Sequence, residues 1–371
     1  MKTDAHYYAI LAFCRACGFK KDNARTIAYA SEYVDHADIN LVFFEDAAIT
    51  IEHDIVEKQP AFINMSTCQS YFNIETFSYE AMINNTCAFH FVPGCEGKSF
   101  MRKLQCKEAS PVILQLLNEA LSDDNLIKLG IILHAYADSF SHQGFSGMLS
   151  KVNHIRNCTA MTKVYVGFAE RILKVLKRLT GNNYDNYFDH IVPAYGHSQA
   201  LDFPDLPYLK WSYEFDGSDD YDGSYQHFEI DNRERYRKAF INIKKILDSY
   251  LEKHPEYLDP TLKFKNFDAL TRTLILADHD QKRVYHWKRT MIDQNLFNRD
   301  DLSALIYEND TWLKEAFANY DPNVFNNLEV KNAQLADNFS KSNWYQFYLS
   351  VKWYKKRFFE CCRKFNLYIP Q

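Results

Sequence analysis

The chain has 371 residues, 47% of them apolar and 25% charged, with only 11 glycines and 10 prolines. That balance excludes a collagenous or low-complexity chain and leaves enough apolar surface for one large core or two modest ones. A formal net charge of -5, with basic residues spread along the sequence, excludes a broad electrostatic footprint for a nucleic-acid duplex.

Aromatic residues reach 16%, and scarce glycine favours long helices over a sandwich of short strands joined by glycine turns, so the expected fold is mainly α. At the N-terminus, MKTDAHYYAI puts Asp4 and His6 where a secretory leader needs an uninterrupted apolar core. No run of about 18 apolar residues follows, and the expectation is a soluble, cytoplasmic protein. Nine cysteines, an odd number over a long chain, fit reduced thiols better than a disulfide framework. Cys14-x-x-Cys17 lies in an amphipathic helical pattern and reads as packing, as does Cys361-Cys362.

In chain order, helices are predicted over 4–16, from a cap at Asp4 to a stop before Gly18, and over 22–35, together forming a hairpin. From 41 to 100 helical periodicity fades, and stretches such as Ala48-Ile49-Thr50-Ile51 and Phe89-His90-Phe91-Val92 predict short strands or ordered loops. Ser110-Pro111 opens another helix, and Asp123-Asp124 opens the next, which runs to about Gln143. A helix over 159–179, a long loop from Tyr184 to Tyr225, and helices at 231–252, 267–294, 310–319 and 341–364 complete the reading. The division expected is a first domain over 1–240 and a helical C-terminal extension over 241–371 packed on it.

The informative stretch is LGIILHAYADSFSHQGFSG, residues 129–147. Residues four apart on a helix lie nearly above one another, so His134, Asp138 and His142 share a face, flanked by small or apolar side chains that allow burial. Two imidazoles and a carboxylate are costly to bury unless a cation joins them, and a divalent metal accepts those N and O donors. The bland reading of the same residues is a solvated polar stripe.

These residues resemble the zinc-dependent phospholipase C and P1-type nuclease superfamily, whose helical bundle carries a His-x-x-x-Asp run and often three zinc ions. A bacterial family with an early HYY, then IAYASEYVD, LHAYADSFSHQGFSG and GHSQALDFPDLPYLKW, is more similar still, over roughly residues 4–240. The resemblance implies a first metal held by Asp35, His90, His134 and Asp138, and a second held by Asp138 and His6. A third would take His142, His197 and either Asp202 or Asp205. Asp38 competes with Asp35, and His53 with His90. Two departures stand out: the phospholipases bind metal through a processed N-terminal residue, whereas this chain starts at Met1, and their His-x-x-x-Glu spacing at the third metal is absent here. Both weaken the implied His6 and His197 sites.

The function implied is hydrolysis of a phosphate ester by two or three zinc or similar ions, with Asp35 and Asp138 as the catalytic carboxylates and Asp35 as the base. The substrate would be a lipid headgroup or a nucleotide. Tyr7, Tyr8, Phe91 and Trp211 can line a pocket or simply fill the core. The C-terminal WYQFYLSVKWYKKRFFECCRKF reads as a buried helix with a solvated basic face, the alternative being contact with a membrane surface. Two rivals accompany this reading: His279-Asp280 as an HD-type phosphohydrolase pair, and a non-catalytic protein with a structural metal cluster whose extension binds a partner.

Overall fold

Gly18, at a left-handed φ of 111°, closes the first α-helix, α1 (Ile10–Cys17), by bonding back to the carbonyls of Cys14 and Arg15. A π-helical stretch, Asp4–Ala9, leads into α1, and α2 (Lys21–Tyr33) packs back on it as the expected hairpin. The computed structural model describes residues 1–45, 50–68, 77–165, 192–218, 222–301, 305–325 and 328–370.

Strands β1 (Leu41–Phe44), β2 (Asp54–Val56) and β3 (Gln59–Ile63) follow, then a second π-helix, Met82–His90. Phe89-His90, expected in a short strand or ordered loop, is thus the end of a helix. Helix α3 (Pro111–Ala120) starts on the Ser110 hydroxyl, which accepts the Ile113 amide, with proline in the first turn where no N–H is needed. Helix α4 (Leu126–Ser141) starts on the Asn125 side chain, which accepts the amides of Ile127 and Lys128.

The expectation of a mainly α bundle is corrected by two sheets. One has strand order β2-β3-β1-β7, in which β1 runs antiparallel to β3 and parallel to β7 (Glu329–Ala333). The other is an antiparallel meander of β4 (Ile155–Ala160), β5 (Lys210–Asp216) and β6 (Tyr225–Asp231). In β4 and β6 consecutive residues are exposed or half-buried on both faces, so they carry little of the alternation that reveals a strand in sequence. The helix expected over 159–179 begins inside β4, and 166–191 lie outside the described residues, as do Ala48 and Ile49. The expected loop up to Tyr225 contains β5 and two one-turn 3-10 helices, Ser198–Ala200 and Phe203–Asp205.

Helices α5 (Asn232–Lys253), α6 (Phe267–Leu274), α7 (Asp280–Asp293), α8 (Thr311–Ala316) and α9 (Asn343–Lys364) build the rest, the expected helix at 267–294 being two. Residue 240 lies inside α5, and one hydrophobic core joins side chains from Met1 to Leu367. Tyr7, Tyr8, Phe91 and Trp211 are buried. In α9 the aromatic face, including Trp344, Tyr348, Tyr354 and Phe358, is buried, while Lys352, Lys356 and Arg363 face out. Among the described residues no helix is long and apolar enough to cross a membrane.

Candidate metal centre

Helix α4 is apolar on nearly every side and therefore runs through the interior, packed by α2, α3, α5 and α9. Its approach to α2 depends on Gly130: a Cβ there would lie 2.5 Å from the Ile27 carbonyl oxygen and 2.6 Å from the Ala30 Cβ. The close contact delivers the Ser31 carbonyl to His134, one turn further on, whose Nδ1–H donates to it at 2.8 Å. His134 Nε2 then faces Asp138 Oδ2 at 3.4 Å and Asp35 Oδ1 at 3.7 Å.

His90, at the end of the second π-helix, enters from the opposite side. Its Nε2–H donates to the Thr67 carbonyl at 2.9 Å, and Nδ1 lies 3.3 Å from Asp138 Oδ2, 3.6 Å from Asp35 Oδ1 and 3.1 Å from His134 Nε2. Each ring's far nitrogen sits on a carbonyl, which only an N–H can satisfy. In their neutral forms both rings therefore turn lone pairs toward each other and toward two carboxylates, an arrangement that requires added positive charge.

The N-terminus supplies some. The buried Met1 α-ammonium lies 2.6 Å from Asp138 Oδ1 and 3.2 Å from Asp205 Oδ1, and His6 Nε2 is 3.1 Å from Asp138 Oδ1. The His6 and His134 rings stack with centroids 3.8 Å apart. Burial opposes charge on the Met1 amine, but Asp138, Asp205 and Asp35 raise it to about 11. Burial likewise opposes the charge on Asp138, yet His142, the ammonium and His6 hold it well below the usual carboxylate range. His6 is pushed down to about 4 by burial, by His134 and by the ammonium.

A further group adjoins the first. His142, at the C-cap of α4, donates its Nδ1–H to the His90 carbonyl at 2.8 Å and turns Nε2 to Asp205 Oδ1 at 3.0 Å. His197 donates its Nδ1–H to the Leu201 carbonyl at 2.8 Å, with Nε2 3.4 Å from Asp205 Oδ2. Leu201 holds that carbonyl in place at a φ of 51°, a conformation that costs a branched residue on the order of 1–3 kcal/mol. Four imidazoles thus have their far N–H fixed on a backbone carbonyl, as metal-ligating histidines do. Phe91 stacks on His142 at 4.7 Å.

The described residues accordingly contain three adjoining groups whose ligand atoms converge: His6, His134 and Asp138; Asp35, His90 and His134; and His142, His197 and Asp205. These N and O donors, with one amine, can hold divalent ions. The side chains are almost completely buried except Asp35, 31% exposed, and Asp205, 14% exposed. The centre opens at Asp35.

A protein-family model described as a family of unknown function (DUF6765) matches residues 1–362. The chain belongs to this family. No curated protein and no solved structure matches it.

In this DUF6765 chain several sequence candidates fall outside the centre. Asp202 is 43% exposed and pairs with Lys2 at 2.9 Å, leaving Asp205 as the carboxylate that meets His142 and His197. Asp38 is exposed, and His53 turns Nδ1 to the Ile51 carbonyl. His279 caps α7 and Asp280 pairs with Lys2 and Arg283, so they do not form an HD-type centre. Neither Cys14-x-x-Cys17 nor Cys361-Cys362 joins a metal-ligating group among the described residues. Sequence reasoning missed the Met1 amine: Lys2 and Thr3 beside it are polar and half-buried, and nothing in them signals a buried N-terminus. A separate group, Asp124, His254 and Glu256, lies near the surface.

Proposed function

We propose that this chain is a metal-dependent hydrolase of phosphate esters, with zinc as the ion and two or three ions per chain. The observation that carries the reading is the facing pair His90 Nδ1 and His134 Nε2, 3.1 Å apart, both with the other ring nitrogen committed to a carbonyl and both beside Asp35 and Asp138. Imidazole and carboxylate donors without thiolates suit zinc in a hydrolytic setting.

Asp35, His90, His134 and Asp138 would hold one ion; His6, the Met1 amine and the shared Asp138 a second; His142, His197 and Asp205 a third. Clustered divalent ions supply an activated water and offset the charge that develops on a phosphoryl group. Asp35, at the open edge, is placed to take the proton of the attacking water. The walls of buried aromatic and aliphatic side chains keep other water away from His134 and Asp138 and strengthen each electrostatic contact there. A purely structural metal site is closed by protein ligands, and the exposure of Asp35 favours an open one. The substrate is a phosphate ester of a lipid headgroup or a nucleotide.

Purified protein is expected to carry more than one zinc per chain by elemental analysis, and Asp138→Asn to lower that content and abolish hydrolysis of a nitrophenyl phosphodiester. A folded wild-type protein that takes up no divalent metal would overturn the reading.

A further inference from the structure

Helix α9 buries its aromatic face, but one lysine goes in with it. Lys355 is 4% exposed, and its ammonium meets four oxygens: the Asn64 carbonyl at 2.9 Å, Asn64 Oδ1 at 2.8 Å, the Ser66 carbonyl at 2.8 Å and Asn85 Oδ1 at 2.9 Å. Three N–H bonds thus serve four neutral acceptors, and no carboxylate lies within hydrogen-bonding distance of the ammonium among the described residues. An ammonium placed so deep without a counter-ion is costly, and only these hydrogen bonds offset that cost, so the oxygens are held firmly around it.

What it holds lies on both sides of His90. Asn85 belongs to the π-helix Met82–His90, which carries the ring. Ser66 precedes Thr67, whose carbonyl accepts the His90 Nε2–H at 2.9 Å. Thr67 is fixed in turn by its amide on the Ala37 carbonyl at 2.9 Å and its hydroxyl on the Val34 carbonyl at 2.8 Å, just past the end of α2 and on either side of Asp35. Asn64 turns this segment at a φ of 55°. The neighbouring Tyr354 adds a second grip, donating its hydroxyl to the Ala88 carbonyl at 2.7 Å.

We propose that Lys355 is a positioning residue of the metal centre: it clamps the carrier of His90 to the segment that orients the ring, so that Nδ1 faces Asp35, His134 and Asp138. The consequence for metal binding rests on the function proposed above. The clamp itself does not. Without the ammonium, four oxygens lose their donor, Thr67 keeps its ties to Val34 and Ala37 but loses the support on its Ser66 side, and the π-helix that carries the His90 ring is no longer tied to it.

The test uses metal-free, full-length protein labelled with nitrogen-15 at histidine. In wild type the His90 Nε2–H proton, identified by its loss in His90→Gln, is expected to exchange slowly with solvent. Lys355→Gln is expected to abolish that protected signal while circular dichroism shows the fold retained, and Lys352→Gln, on the exposed face of the same helix, to leave it unchanged. Asn85→Ala removes one acceptor and keeps the ammonium; it should speed exchange of the same proton by several-fold. An unchanged His90 signal in folded Lys355→Gln, or in Asn85→Ala if the lysine variant does not fold, overturns the clamp. Zinc titration runs in parallel: Lys355→Gln should weaken one site by about 10- to 100-fold, and by much less in a His90→Ala background. Equal losses in both backgrounds would assign Lys355 a general role in the fold and overturn its action through His90. A wild type that binds no zinc would overturn the proposed function, and the proton signal would still decide the role of Lys355.

Discussion

Arg283 on α7 grips Asp4 through two hydrogen bonds of 2.7 and 2.9 Å, and both side chains are buried. The pair fastens the N-terminal π-helix, two residues before His6, to a helix from the last third of the chain. Removing the guanidinium leaves a buried carboxylate without its partner, a loss of about 3–5 kcal/mol. Arg283→Met is therefore expected to lower the denaturation midpoint strongly and to release the His6 and Met1 end of the centre. Urea denaturation with elemental analysis checks both; an unchanged midpoint would show that the N-terminal segment is held by something else.

His197 and Asp205 form one group with His142, joined to Asp138 through the Met1 ammonium, which lies 2.6 Å from Asp138 Oδ1 and 3.2 Å from Asp205 Oδ1. His197→Ala is expected to remove one metal ion per chain and leave the ions near His134 in place. Mass spectrometry of the intact protein under native conditions counts the ions. Loss of all of them together would make the cluster a single cooperative unit.

Gly130 sets the distance between α2 and α4. An alanine there forces its Cβ against the Ile27 carbonyl oxygen, 2.5 Å away in the present packing. The backbone must shift, and the expected cost is roughly 1–3 kcal/mol, seen as a lower melting temperature. Because the same contact carries Ser31 to His134, metal affinity should fall along with stability. A variant as stable as wild type would mean that the two helices separate freely.

Asp231 begins α5. Its Oδ1 accepts the Arg233 amide at 3.0 Å, and its Oδ2 meets the Arg233 guanidinium at 2.6 Å and Lys210 Nζ at 3.1 Å. The Arg233 hydrogen bond, against some burial and with help from Lys210, holds this carboxyl down at about 2, below the ordinary 3.8. On acidification the unfolded chain takes up this proton first. The stabilisation is complete above the ordinary value and is lost as pH falls through about 2. Asp231→Ala is expected to cost about 1 kcal/mol near neutrality, from the lost cap, and to flatten the acid limb of stability. Denaturation series across that range read both effects.

The centre was legible where its ligands share a regular helix. His134, Asp138 and His142 fall at the spacing that 3.6 residues per turn brings together, and α4 has the apolar flanks of a buried helix. His6 sits in a π-helical stretch that still read as helix, within 4–16, but His90 ends a second one, where the bond runs from i to i+5 and ordinary periodicity gave no guide. Phe89-His90 consequently read as part of a short strand or ordered loop. Asp202 and Asp205 are chemically alike in sequence; only the 3-10 turn Phe203–Asp205 turns one inward while Lys2 draws the other out. Short strands or ordered loops were expected where β1, β2 and β3 lie; the larger omission was their assembly with β7, Leu41 opposite Glu329 across most of the chain, and the second sheet, since no local pattern announces such a partner.

That pairing also sets the order in which the molecule can be made. Strand β1, the Asn64–Ser66 segment and Asp4 emerge early from the ribosome, yet their partners β7, Lys355 and Arg283 emerge late. Contacts so distant in sequence slow folding, because a long loop must close before they form. Strand β1, the Asn64–Ser66 segment and Asp4 therefore lack these partners until the last third of the chain has emerged.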